Sequence, residues 1–198
     1  EVNNIIKPGV STSEIDKLCY EYINDHKAFS APLYYRGYPK SCCTSSNHVV
    51  CHGIPSEKIL NDGDILNVDV TAIKDGWHGD TSRMFVVGEC SVKAKKLIKT
   101  TYEAMMEAIK IIKANIKIGN IGYTIQKIVE AEGFSVVRDF CGHGIGKKFH
   151  ESPNVLHYGE KNSGQELKAG MIFTVEPMIN YGKFETKTLK DGWTAVTK

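Results

Sequence analysis

Apolar residues recur at helical spacing at Ile15, Leu18, Cys19 and Tyr22, which predicts a helix over 11–26 capped by Ser11 or Ser13. Residues 28–63 read as turns and short strands punctuated by Gly37, Pro39, Gly53, Pro55 and Gly63. A strand follows at 64–70 and another at 82–88. Between them Lys74-Asp75-Gly76 carries the Asp-Gly signal of a hairpin. Ser91 caps a long helix to about Asn115, with Ala94, Ile98, Tyr102, Met105, Ile109 and Ile112 as its buried stripe. Its lysines (93, 95, 96, 99, 110, 113) form the solvated face, and Met105 and Met106 belong to the core. A third helix over about 122–132 ends at Gly133. Strands are expected near 134–138, 171–176 and 179–182, with 159–170 the most loop-like stretch.

The pattern repeats. Residues 60–69 (LNDGDILNVD) and 167–176 (LKAGMIFTVE) share L-x-x-G-x-I-Φ-x-V-[D/E] at an offset of 107. Ile6-Lys7-x-Gly9 matches Ile116-Lys117-x-Gly119 at an offset of 110. Two nearly equal offsets point to duplicated helix–strand halves, about 1–110 and 111–198, within one α/β (α+β) domain. Each repeated strand ends in a carboxylate, Asp69 or Glu176.

Composition narrows the class. Of 198 residues, 41% are hydrophobic and 24% charged, so the chain folds into a core and is not an extended disordered polymer. A net charge of +2 is too small to argue for a nucleic-acid surface. No stretch approaches the ~18–20 apolar residues of a membrane span, and Glu1-Val2-Asn3-Asn4 offers no signal-peptide core. Six cysteines without a C-x-x-C pair read as reduced thiols of a cytoplasmic protein. The chain starts without methionine and stops at Val196-Thr197-Lys198, so it reads as truncated at both ends.

Candidate chemistry gathers around the hairpin. If its turn centres between Lys74 and Asp75, Asp69 and Asp80 oppose each other; if Asp75-Gly76 is the loop, they are diagonal neighbours on one face. Either way two like charges share a face, which a bound cation would relieve. His143 sits among glycines in Cys141-Gly-His-Gly-Ile-Gly146, His150 lies seven residues on, and His52 sits in Cys51-His-Gly-Ile-Pro55. Carboxylates with one imidazole suit Mn, Fe, Co or Zn in a site without thiolates. Gly142–Gly146 lacks the spacing of a dinucleotide fingerprint. His26, His48, His78 and His157 are assigned ordinary structural roles.

Seven segments then align in order: Lys40–Asn47, Cys51–Pro55, Asn67–Thr71, Asp75–Ser82, Gly142–Gly146, His150–Pro153 and Phe173–Met178. Together they resemble the type I methionine aminopeptidases over nearly the whole chain. The resemblance implies the pita-bread fold, a pseudo-two-fold arrangement of duplicated helix–strand halves around a central antiparallel sheet. It implies two divalent metal ions held by Asp69, Asp80, His143 and Glu176, with a fifth ligand, a glutamate, on a strand beyond the sequence given. It implies that Glu176 also moves a proton, that His150 bonds the scissile carbonyl, and that His52 bonds the substrate's peptide nitrogen. Tyr35, Tyr38, Cys43, Phe149 and Trp193 would line the methionine pocket. Aromatic rings and sulfur suit a thioether, and Tyr35 and Tyr38 lie in a Gly- and Pro-rich loop.

The expected activity is removal of the N-terminal methionine from nascent proteins. The implied partners are those polypeptides and the ribosome, with no membrane, no direct nucleic-acid site and a monomeric chain. Two alternatives share the fold: an X-Pro peptidase and a binding module that has lost its metals. The intact ligand set speaks against the second.

Overall fold

The structure, a computed structural model, describes all 198 residues. Backbone contacts divide them into two compact units, 1–94 with 187–196, and 95–186 with 197–198. The sequence places the boundary between halves near 110; the contacts place it at 94/95. No helix is long and apolar enough to cross a membrane.

The first unit contains α1 (Val2–Ile5), α2 (Thr12–Asp25), β1 (Phe29–Ser30), β2 (Cys43–Ser46), β3 (Val49–Cys51), β4 (Ile65–Lys74) and β5 (Trp77–Val86). Of the two candidate caps, Ser11 is the one that starts α2: its hydroxyl accepts from the Glu14 N–H while the Glu14 carboxylate accepts from the Ser11 N–H, a capping box. α2 buries Ile15, Cys19 and Ile23, whereas Tyr22 is exposed and stacks on His26. β4 is the spine of an antiparallel sheet, flanked by β1 and β2 and paired along its full length with β5. The hairpin is longer than the sequence suggests, because Asp75 and Gly76 both take positive φ and close a two-residue turn directly between the strands.

The second unit contains most of α3 (Val92–Lys110), α4 (Gly119–Ala131), β6 (Ser135–Val136), β7 (Gly142–Gly144), β8 (Glu151–Val155) and β9 (Ile179–Asn180). β6 pairs with β9 and β7 with β8, both antiparallel. The chain then re-enters the first unit through β10 (Thr186–Thr188) and β11 (Ala195–Thr197), and β11 pairs with β3. Gly133, at φ +80, ends α4 as expected.

Two of the predicted elements differ from expectation. α3 does not bury the predicted stripe. Its fully covered positions are Thr100, Ala104 and Ala108, while Tyr102 is 59% exposed and Ile109 40%. Small residues let the helix backbone approach the core of Ile121, Ile125 and Val129, so its larger side chains flank the contact. Residues 171–176 do not form a regular strand. Phe173 makes one isolated bridge to Gly144, and single backbone bonds join Ile145 to Ile172 and Thr174 to His143.

The duplication is visible in the backbone of each unit. In the first, Ser11 bridges Ile59, the Gly9 N–H donates to Leu60 O, and the Leu60 N–H donates to Val10 O. In the second, Lys117 bridges Glu166, the Asn115 N–H donates to Leu167 O, and the Leu167 N–H donates to Ile116 O. Leu60 and Leu167 are both buried, and the glycines that follow, Gly63 and Gly170, share φ +89. The offset of 107 therefore holds. The other match is out of register: the partner of Gly9 is Asn115, not Gly119, and both take the left-handed backbone that glycine and asparagine tolerate best.

Candidate active site

In the first unit the hairpin register puts Asp69 opposite Ser82 and Asp80 opposite Thr71. The two aspartates are therefore diagonal neighbours on one face, the second of the two arrangements the sequence allowed. Both are half-buried. On the other side of β4, Cys43 pairs with Asp69. Burial, with the fields of Asp69 and Asp80, pushes the Cys43 thiol up to about 12. Cys43 is thus a neutral thiol beside the two carboxylates.

β2 is anchored from α2. Asp16 Oδ1 accepts from the Ser41 N–H (2.8 Å), the Ser41 hydroxyl (2.6 Å) and the Cys42 N–H (3.1 Å). Gly53 presses on β2, where a Cβ would lie 2.2 Å from Thr44 O. Its N–H donates to the Ser45 hydroxyl, and its carbonyl accepts from the Thr44 N–H. That close approach seats His52, which adopts a left-handed φ of 55. Burial holds the His52 imidazole below its ordinary value. Trp193 sits edge-on to His52 (6.4 Å) and to Tyr38 (5.2 Å). The buried Tyr38 hydroxyl donates to Cys42 O and Gly53 O. Tyr35 lies half-buried between two left-handed residues, Tyr34 and Arg36. The first unit thus gathers Tyr38, Trp193 and His52.

In the second unit β7 carries His143 between two glycines that have no room for a side chain. A Cβ on Gly142 would meet Thr174 O at 2.4 Å, and one on Gly144 would meet Ser152 O at 2.2 Å. The imidazole is buried; Nδ1 lies 3.0 Å from Gly144 O. A carbonyl only accepts, so Nδ1 donates, and Nε2 is the ring atom left to act as a ligand. Nε2 faces Glu176 Oε1 at 3.5 Å. Two acceptors so placed are what a shared cation would join. The Thr174 hydroxyl links the pair: it donates to Glu176 Oε1 (2.5 Å) and accepts from the His143 N–H (2.9 Å). His150 is exposed, its ring 4.2 Å from His143 and 4.1 Å from Phe149.

Within neither unit do three or more His, Cys, Asp or Glu side chains gather into a metal cluster. Each contributes a pair, Asp69 with Asp80 and His143 with Glu176. A donor set of carboxylate oxygens and one imidazole fits a hard-to-borderline divalent ion. Two participants escaped the sequence reading. Thr174 is one. The other is His157, assigned an ordinary structural role, which is completely buried and accepts the Glu176 N–H at Nε2 (3.1 Å). Burial pushes its imidazole down to about 4. No spacing signal marks either residue. Each accepts a backbone N–H that only the fold brings near, that of His143 for Thr174 and that of Glu176 for His157.

Residues 1–197 match the family model described as metallopeptidase family M24. The chain is 57% identical over 195 residues to methionine aminopeptidase from Escherichia coli (strain K12), covering 98% of this chain and 74% of that protein. It superposes on the crystal structure of methionine aminopeptidase from Rickettsia prowazekii with a TM-score of 0.98 at 53% identity, covering 100% of this chain and 80% of that one. Prolidase from Pyrococcus furiosus shares the fold alone, with a TM-score of 0.76 at 23% identity over 89% of this chain and 50% of that one.

Proposed function

The chain belongs to metallopeptidase family M24, and on that premise we propose that it is a type I methionine aminopeptidase of pita-bread fold, a metal-dependent exopeptidase that hydrolyses the bond after an N-terminal methionine. The observation that carries this reading is whole-chain likeness to methionine aminopeptidases at more than half identity, against a likeness of fold alone to a prolidase.

Asp69 and Asp80 from the hairpin, and His143 and Glu176 from the second unit, are the proposed ligands of two divalent ions of the Co, Mn, Fe or Zn class. Bound there, such ions supply Lewis acidity that polarises the scissile carbonyl and acidifies the attacking water. Glu176 takes the proton from that water and delivers it to the leaving amine. The Thr174 hydroxyl on Oε1 fixes how this carboxylate is turned. His150 donates to the scissile carbonyl. His52, held neutral by burial, keeps a lone pair with which to accept the peptide N–H. Tyr35, Tyr38, Cys43, Trp193 and Phe149 contact the methionine side chain, and a neutral thiol at Cys43 suits that apolar task. Nascent polypeptides at the ribosome, met in the cytoplasm by a monomer, are the proposed setting; six free cysteines support it.

Metal-loaded protein should cleave Met-Gly peptides and leave Leu-first peptides and the Met-Pro bond largely intact. Preference for the bond before proline would replace this reading with that of an X-Pro peptidase.

A further inference from the structure

We propose that His157 is a positioning residue for the hydrolysis: its Nε2 anchors the backbone N–H of Glu176 and so sets where the Glu176 carboxylate is presented. The inference rests on the reading of Glu176 as ligand and proton carrier. Because Nε2 accepts from an N–H, it carries the lone pair, and the ring's single proton is on Nδ1. Nδ1 is buried and has no hydrogen-bond partner. A buried donor left unmatched is costly, and an apolar residue would avoid the cost. What the imidazole supplies in exchange is its acceptor, aimed at one backbone group 19 residues away.

That group needs an anchor. Glu176 lies outside any regular strand, between Thr174, whose N–H reaches His143 O, and Met178, whose carbonyl takes the Val137 N–H. His157 is itself rigidly held. At Gly122 of α4 a Cβ would meet Leu156 O at 2.6 Å and Tyr158 O at 2.5 Å, so the helix touches the backbone on both sides of the histidine. A continuous path of packed groups therefore runs from α4 through 156–158 and the imidazole to the Glu176 N–H.

The test uses the cobalt(II)-loaded full chain. His157→Leu removes the acceptor; His157→Gln returns one, since Gln Oε1 falls near the place of Nε2. Expected are a kcat lower by about 10–100-fold in His157→Leu with KM unchanged, altered visible cobalt absorption, and recovery of both in His157→Gln. A folded His157→Leu with wild-type kcat and spectrum overturns the proposal, as does His157→Gln falling equally far. If His157→Leu does not fold, the wild type decides by NMR. A coupling across the hydrogen bond between the Glu176 amide nitrogen and His157 Nε2 supports the assignment; its absence, or a proton on Nε2, sinks it. Glu176→Ala separates the two layers: retained metal there removes the ligand reading itself, whereas lost metal beside an unaffected His157→Leu removes only the positioning role.

Discussion

The hairpin that carries Asp69 and Asp80 and the segments that carry His143 and Glu176 place a pair of polar side chains by opposite means. β4 and β5 run ten residues each in unbroken register, and the pleat alone puts two aspartates on one face. β7 has three residues and a register shift between His143 and Gly144, and the 171–176 stretch is no strand. There the pair is held by a threonine hydroxyl, a histidine acceptor and two glycines that admit no side chain. A regular scaffold makes site residues replaceable without harm to the fold. An irregular one ties the site to its surroundings.

The hardest test of that contrast is Asp80→Asn. Activity should fall roughly a thousandfold or more, since losing a metal forfeits several kcal/mol of transition-state stabilisation. Metal-free protein should melt no lower than wild type, because one of two like charges on a face is gone. A lower melting temperature without metal would mean that the hairpin also depends on its carboxylates. Next comes Thr174→Val in the other unit, which keeps the shape and removes the hydroxyl. Metal affinity, followed by titration calorimetry, should drop about 10–100-fold; an unchanged affinity would show that His143 and Glu176 need no tie.

Glycines sharpen the comparison further. Gly144→Ala drives a Cβ against Ser152 O and should cost about 1–3 kcal/mol in denaturant unfolding. Gly79→Ala on β5 meets nothing within 4 Å and should stay within about 0.5 kcal/mol. Equal costs would erase the distinction.

The smallest effect concerns His52. Burial lowers its folded-state pKa, so below about pH 6.5 the unfolded chain binds more protons and stability falls with pH. His52→Gln abolishes that part of the dependence. The melting-temperature advantage of wild type over His52→Gln should therefore shrink between about pH 7.5 and about pH 5.5. His157 titrates in both proteins and cancels; parallel curves would refute the assignment.

How far the sequence could be read follows the same division. The hairpin was legible because a period of two and Asp75-Gly76 are local signals, although which of the two pairings held needed the register. The capped start of α2 was equally local, although the choice of Ser11 over Ser13 and the box with Glu14 came only with the structure. The buried face of α3 was not, because Ala104 and Ala108 line it and carry little hydrophobic signal. The strand expected at 171–176 matched its repeat, but a repeated pattern does not reveal that its neighbour is bulged. Matching Gly9 with Gly119 followed residue identity, whereas the chain repeats a conformation, Gly9 with Asn115. Thr174 and His157 bond to main-chain atoms 31 and 19 residues away, which no periodicity records.

The return of residues 187–196 to the first unit has a consequence for biosynthesis. β3 pairs with β11, so Cys51 must wait for Ala195 to be translated. At typical elongation rates that delay is on the order of ten seconds. Throughout it β3 lacks its ladder partner, the kind of bare edge on which nascent chains associate. Trp193 arrives in the same late segment, so the aromatic cover over Tyr38 and His52 forms only after nearly every other residue of the first unit has left the ribosome.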